Sequence, residues 1–590
     1  MMHNRKISSK TGFDLAFFTL LLVIGILLGW NINFINRSGP GPIYADKAAY
    51  YVYLPATFIY GWDVNKFPKG IDEKTKGFTL HYPDNKLIIK TTYGVALMVS
   101  PFFLVTHAIA VKQNLQPDGF SDIYEKMTVF PAVFYLILGM FFLKKFLDNY
   151  FRKQIPYLVV ILIVAGTNLY YYGFRDGLMS HVYSFFLFSL YLFLLKKFLS
   201  GDKNSFTVFL LVSITLSLAV LIRPTNILLL IWAFCLDVRS REDIRERFRL
   251  FFRFRYIAAF LLIFFIIYLP QLLYWKYLSG NFFYYSYPGE SFSAWKDPQI
   301  IPLWFAPLNG LFLYSPLVFC FIAGIIYMIV KKIPNGIFIG CFFLLISYLF
   351  ASWHIWFFGG SMGSRPFTEY YSLLAFPFAV FIEKTGKIKN RFIRSMVVLF
   401  IFFSSFYSLK LVYHYDWNTS SVWSWDDYLK RLDFAGLYVW PGETYTYKND
   451  FENYECAKTI PCEENVHSGS KAGFVDGGMI FTEKFYQPLK LILKKPVRKV
   501  SLQFWINPGS NPETGAIYVC SIENWKGEVH DYHFVKADHF IKKPNVWSKV
   551  DTTFTIPEWV PAGDMVSSYL WNFKGRKQRI YIDDIVMKFK

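Results

Sequence analysis

Four places along an otherwise apolar chain carry side chains able to do chemistry. The first is Ala45–Pro55, where Asp46 opens a turn that also holds Tyr50, Tyr51 and Tyr53. Partial desolvation moves a carboxylate toward the range of a general base. The competing reading of Asp46 is a helix N-cap, a common post for that residue. The second place is Gly173–Gly177, with Arg175 and Asp176 one turn ahead of Ser180 and His181. Asp176 either caps the next helix with Arg175 as its partner, or the two together hold a phosphate or a metal. His181 reads first as a packing or hydrogen-bonded residue, because no His, Cys or Asp cluster here has zinc spacing. The third is Ile222–Asn226, where Pro224 breaks a helix and frees backbone groups. Arg223 beside it is either an anion contact or a cation snorkelling to an interface. The fourth runs from Trp353 to Tyr370 and contains Trp356, Gly359, Gly360, Gly363, Arg365 and Glu369. Glycine allows close backbone approach, amides at a helix start favour anions, and the Arg fork matches phosphate oxygens. An interfacial aromatic belt accounts for the Trp residues. It does not account for a Gly-rich stretch that ends in Arg.

These residues must be positioned by a membrane scaffold. The chain has 590 residues, 54% hydrophobic and 21% aromatic but only 18% charged, against about a quarter charged in a soluble domain. Disorder, fibrous repeats and a disulfide framework are excluded by the same figures. The net charge of +20 raises nucleic acid as a partner, but the basic residues punctuate apolar runs, and no nucleic acid is expected. Roughly 20 apolar residues make one helical span. Apolar runs lie at 13–34, 91–111, 127–147, 156–172, 178–199, 205–222, 226–236, 254–275, 310–330, 335–351, 367–383 and 392–412. The first has a basic flank, Arg5, Lys6 and Lys10, and no small-residue cleavage site, so it reads as an uncleaved helix.

Loop charge orients the spans, since Lys and Arg stay on the cytoplasmic side. Basic loops near Lys144, Lys196, Arg239–Arg255, Lys331 and Lys384 alternate with loops poor in basic residues at 173–177, 223–225, 276–309 and 352–366. The N-terminus is then cytoplasmic and residues 413–590 lie outside the cytoplasm. Under this alternation 91–111 begins and ends on the same side, so it is expected to be re-entrant or horizontal. The fold expected is a polytopic α-helical membrane protein with about 11 transmembrane helices, a first outer loop over 35–126 and a linker over 413–441. Residues 442–590 follow strand grammar in runs such as Lys499–Trp505 and Arg579–Phe589, which predicts a β-sandwich. Cys456 and Cys462, on the oxidising side, form either a local disulfide or two free thiols. Cys235, Cys320 and Cys341 are expected to be small buried side chains.

The polar sites all fall at outer loops, and no polar stripe runs through the spans, which argues against a solute pathway. Together they resemble membrane glycosyltransferases of the GT-C type, in particular bacterial relatives of protein O-mannosyltransferases and lipid A aminoarabinose transferases. The likeness rests on Asp46 in the first outer loop and on His81-Tyr82-Pro83 before an apolar run. It rests further on Arg175-Asp176 and on the string from Trp353 to Arg365, and covers roughly residues 10–412. The resemblance implies inverting transfer of a sugar from a polyprenyl-phosphate donor to a glycan, lipid or protein acceptor at the outer face. It makes Asp46 the base, with Arg365, Arg175, Arg223 and Lys47 as candidates for the donor phosphate. Asp176, His181, Tyr50, Tyr82, Trp353, Trp356, Gly360 and Glu369 are further site candidates. Many relatives carry Asp-Glu where this chain has Asp46-Lys47, and no metal cofactor is expected. The chain's ending, Tyr581–Ile585, is similar to the last strand of jelly-roll carbohydrate-binding modules; the module either holds a glycan or caps the outer face. Two other functions compete: a lipid-linked glycan polymerase or ligase, and a non-enzymatic glycan-binding or flippase component.

Overall fold

The computed structural model describes residues 2–35, 41–152, 154–201, 205–287, 289–414, 425, 428, 445–452, 465–482, 484–489, 499–524, 528–557, 560 and 564–589. The chain divides into two compact units, a helical one built mainly on Gly41–Tyr415 and a β-rich one built mainly on Leu432–Lys590.

In the helical unit, seven helical stretches among the described residues are long and apolar enough to cross a membrane. They are Gly12–Phe34, Gly94–Lys112, Asp122–Leu147, Ser180–Leu199, Ser205–Ile222, Phe254–Ser279 and Arg391–Tyr413. Four shorter apolar helices accompany them: Ile155–Ala165, Pro224–Cys235, Val318–Val330 and Gly336–Ala351. The number of full-length helices is thus below the number of apolar runs, and local chemistry explains why. The 156–172 run breaks at Gly166, where Thr167 Oγ1 bonds back to the Ile163 carbonyl oxygen (2.6 Å) and accepts from the Leu169 amide (3.2 Å). The 310–330 run is split by Ser315 and Pro316 into Leu311–Tyr314 and Val318–Val330. The 226–236 run begins as 3-10 turns over Pro224–Leu230 before one turn of α-helix. Segment 91–111 folds as a single continuous helix, Gly94–Lys112. A helix without a reversal cannot dip and return, so the re-entrant form is not what the chain adopts.

Charges that looked like loop punctuation are partly internal. Lys144 lies in the last turn of helix Val129–Leu147 and is wholly buried. Its ammonium bonds both oxygens of the buried Asp14, at 2.8 and 3.0 Å. Lys145 reaches the same carboxylate at 2.6 Å, and the Tyr157 hydroxyl donates to it as well. Buried ions persist only with this kind of pairing. Between the first apolar helix and Gly94–Lys112 lie the helix Asp46–Tyr51 and a hairpin of β1 (Phe78–His81) and β2 (Lys86–Ile89).

The β-rich unit holds two antiparallel sheets. One has the order β5 (Phe485–Pro488), β10 (Met565–Trp571), β7 (Ile517–Glu523), β8 (Val529–Lys536). The other runs β3 (Tyr445–Asn449), β11 (Ile580–Phe589), β6 (Lys499–Asn507), β9 (Ser548–Thr555), with β4 (Gly473–Val475) also paired to β11. Alternate residues of both sheets, among them Leu502, Phe504, Tyr518, Ile522, Val566 and Ile582, bury into one apolar core. Cys456 and Cys462 lie outside the described residues. Cys320 is buried and Cys235 half-buried, but Cys341 is exposed, contrary to expectation.

Candidate functional site

Asp46 is the first residue of its helix, not the cap. The cap position is Ala45, and no side chain caps the helix. Ala45 sits at φ 52°, and its amide donates to the Thr75 carbonyl at 2.7 Å. Gly77 closes this corner: a Cβ there would meet the Ala45 oxygen at 2.3 Å, so only glycine fits. The carboxylate of Asp46 is thereby left for other use, with half of the side chain exposed. It stands 3.5 Å from the Arg365 guanidinium, which is one-fifth exposed.

Arg365 starts a short 3-10 turn, Arg365–Phe367, in which the Thr368 hydroxyl donates to the Arg365 carbonyl at 2.8 Å. Ahead of it Gly363, at φ 65°, lies where a Cβ would come within 2.8 Å of Tyr314 Cβ. The Asn309 amide pins the same loop through the carbonyls of Phe357 and Gly359, at 2.9 and 3.0 Å. The Gly-rich stretch therefore serves to press the loop inward and aim Arg365.

Lys47 Nζ pairs with Asp176 Oδ1 at 2.5 Å, with both side chains largely buried. Asp176 does not cap the following helix. That position belongs to Met179, which makes no side-chain cap. Arg175 donates to the Val412 carbonyl at 3.1 Å and lies over the Tyr171 ring.

A third group is buried below the first two. Glu369, with no exposed surface, accepts from Arg223 at 2.6 Å and lies 2.9 Å from His181 Nδ1. A carboxylate only accepts, so Nδ1 carries the proton of that bond. Arg223 Nη1 also lies 3.2 Å from His181 Nδ1. The Arg223 side chain keeps 18% of its surface open. His181 stacks on Tyr172, with ring centroids 4.7 Å apart.

Tyr50 links the groups. It is buried, bonds Ser180, and feels the charges of Arg223, Asp46 and Arg365. Burial raises its pKa above the ordinary phenol value, so the hydroxyl stays neutral. Tyr287, which the sequence did not single out, feels Tyr50, Asp46 and Arg223, and burial raises its pKa too. The segment that bears it is fastened by an ion pair between Lys90 and Glu290 and by Ser286 Oγ on the Lys90 carbonyl (2.6 Å). Lys90 lies over the Tyr287 ring at 4.7 Å. Tyr287 ends an aromatic run, Phe282–Tyr287, and nothing in the run sets it apart from its neighbours.

The remaining candidates lie apart from this cluster in their contacts. Tyr82 sits, 46% exposed, in the turn of the β1–β2 hairpin. Trp353 packs on Phe292 and Phe358, Trp356 packs on Phe357, and Gly360 is half-buried.

No protein-family model and no curated protein matches the chain. Among solved structures, it is similar to an archaeal oligosaccharyltransferase from Archaeoglobus fulgidus in complex with an inhibitory peptide and a dolichol-phosphate. The identity is 14% and the TM-score 0.40, over 69% of this chain and 56% of that one. It is also similar to an Archaeoglobus fulgidus oligosaccharyltransferase in the apo form, at 13% identity and TM-score 0.38, over 68% and 56%. The chain spans little more than half the length of these structures, 56% in both.

Proposed function

We propose that this chain is an inverting glycosyltransferase of the GT-C type. It moves a sugar from a polyprenyl-phosphate donor to a hydroxyl of a glycan, lipid or protein acceptor at the outer face of the cytoplasmic membrane. The observation that carries the reading is Asp46, half exposed, standing 3.5 Å from Arg365. At that spacing the pair is loose for a charge-assisted bond, and both groups remain available to a substrate placed between them. Asp46 takes the proton of the acceptor hydroxyl as its oxygen attacks the anomeric carbon. The bond from that carbon to the phosphate oxygen breaks, and the electron pair leaves with the lipid phosphate. Transfer turns a phosphodiester with one charge into a monoester with nearly two, so the leaving side needs fixed cations. Arg365 supplies one and Arg223 a second, held in place by Glu369. One base opposite one leaving group gives a single displacement, hence inversion.

The test is thermal unfolding of the purified protein with a panel of polyprenyl-phosphate sugars. One of them is expected to raise the melting temperature, and the rise is lost in Arg365→Ala. A panel without any such rise overturns the reading.

The proposed chemistry calls on no divalent metal. Asp46 faces Arg365 and Asp176 faces Lys47, and no three His, Cys, Asp or Glu side chains converge among the described residues. Transfer assayed after EDTA treatment is expected to stay within about twofold of the untreated rate, since the charge on the leaving phosphate is met by Arg.

A further inference from the structure

Between the apolar helices Pro224–Cys235 and Phe254–Ser279 the chain forms a short helix over Arg241–Phe251. Its start is closed by a reciprocal cap. The Ser240 hydroxyl accepts from the Asp243 amide at 3.1 Å, and the Asp243 carboxylate accepts from the amides of Arg239 and Ser240 at 2.7 and 2.9 Å. Such a cap satisfies amides that a helix start leaves open, so this helix is formed before any partner arrives. None of its residues is buried.

Helical spacing divides it into strips. Ile244, Phe248 and Phe251, at i, i+4 and i+7, make an apolar stripe that Phe252 continues. Arg241, Arg245 and Arg249, four apart, run along one border of the stripe, and Arg247 stands at the other. Glu242, Asp243 and Glu246 occupy the far side with Leu250. The protein covers only part of the stripe. Phe251 packs on Phe198, Phe209 and Phe234, with ring centroids 5.8, 6.4 and 5.4 Å away. Phe248 meets Phe234 at 4.8 Å yet stays 48% exposed, and Phe252 and Phe254 are 63% and 87% exposed. The arginines are open as well. Arg245 and Arg249 share one carboxylate, Glu242, at 2.9 and 3.8 Å, and all three side chains are exposed. Arg239, Arg241 and Arg253 make no ion pair among the described residues. Over 239–255 seven Arg stand against three acids.

The neighbours set the depth of this helix in the membrane. Phe254 opens a 26-residue apolar helix that is mostly exposed, and Arg255 lies beside it over the rings of Phe206 and Tyr256. Phe254 therefore marks the edge of the hydrocarbon. The rings under Phe251 agree, since Phe198 is in the last turn of Ser180–Leu199 and Phe209 in the second turn of Ser205–Ile222.

We propose that Arg241–Phe251 is an interfacial helix that binds anionic phospholipid headgroups. Phe248, Phe252 and Phe254 enter the acyl boundary, and Arg241, Arg245, Arg249 and Arg253 meet the phosphates. Arginines along the border of an apolar stripe sit level with the phosphates while the acids opposite face water, and each guanidinium fork matches phosphate oxygens. A soluble protein partner fits less well, because covering Phe254 would carry it to the edge of the hydrocarbon. The site stands independently of the transfer reading.

The experiment is hydrogen exchange on the full-length protein in nanodiscs of phosphatidylcholine alone or of an equal mixture with phosphatidylglycerol. Amides over 245–253 are expected to exchange more slowly in the mixed discs, and added salt is expected to erase the difference by screening exposed charges. An arginine near an anionic surface is worth roughly fivefold in binding, so Arg241→Gln, Arg245→Gln and Arg249→Gln together are expected to weaken headgroup binding roughly 100-fold. That triple variant loses the protection while its melting temperature in detergent stays at the wild-type value, because the three side chains are exposed. Equal exchange in the two lipids overturns the proposal, as does full protection in the triple variant. Protection that rises with the number of protein copies per disc rather than with phosphatidylglycerol also overturns it, and assigns the face to a second copy of the chain.

Discussion

Asp46→Asn lowers the rate of sugar transfer by about 10²–10⁴-fold, the usual worth of a general base. Donor binding and thermal unfolding stay close to wild type. The asparagine keeps the shape of the side chain and loses only the capacity to take a proton. Stability is spared because Asp46 makes no cap and its ion pair with Arg365 is long and half exposed; pairs of that kind contribute about 0–1 kcal/mol. The measurement is single-turnover transfer alongside a donor-dependent melting shift. Transfer at the wild-type rate would remove Asp46 from the mechanism. It would favour a glycan-binding or flippase component, in which this residue has no chemical part.

Glu369→Ala has the largest expected effect on stability, a loss of about 3–5 kcal/mol, because it strips a buried pair of its only anion. Arg223 and His181 would then face one another at 3.2 Å with no carboxylate between them. The loss should read out as a lower melting temperature in nanodiscs and as faster proteolysis. The double variant Glu369→Leu with Arg223→Met recovers part of that stability, since no buried charge remains uncompensated. It does not recover transfer, because the second cation for the leaving phosphate is gone. Equal melting temperatures for wild type and Glu369→Ala would show that the group contributes nothing to the fold.

The polar residue types that gather in the site were readable from the chain; their pairings were not. Asp46, Arg365, Arg223, His181 and Glu369 were each marked by being polar at the edge of an apolar run. Yet Lys47 and Asp176 are 129 positions apart, and Arg223 and Glu369 are 146 apart. No local pattern encodes a contact across that distance. Local chemistry also misled where a general preference met a specific corner. Asp at a helix start suggested a cap, but Gly77 and Thr75 already hold Ala45 in that place. Apolar length overstated continuous helix for a similar reason. Hydropathy registers Gly166-Thr167-Asn168 and Ser315-Pro316 as small dips, whereas the backbone breaks there. Strand alternation was visible in β6 and the second half of β11 because one face is buried there. The order in which the strands pair was not.

The carboxylate at position 14 has a consequence for how the protein is made. Its two lysine partners follow 130 and 131 residues later in the chain. A ribosome therefore delivers this helix to the bilayer before either of those lysines has been made. Until the helix ending at Leu147 arrives, the nascent segment must hold residue 14 at the headgroup level or keep company with an insertion factor. Final seating of the first helix is thus a late event of biogenesis, completed by capture rather than by initial entry.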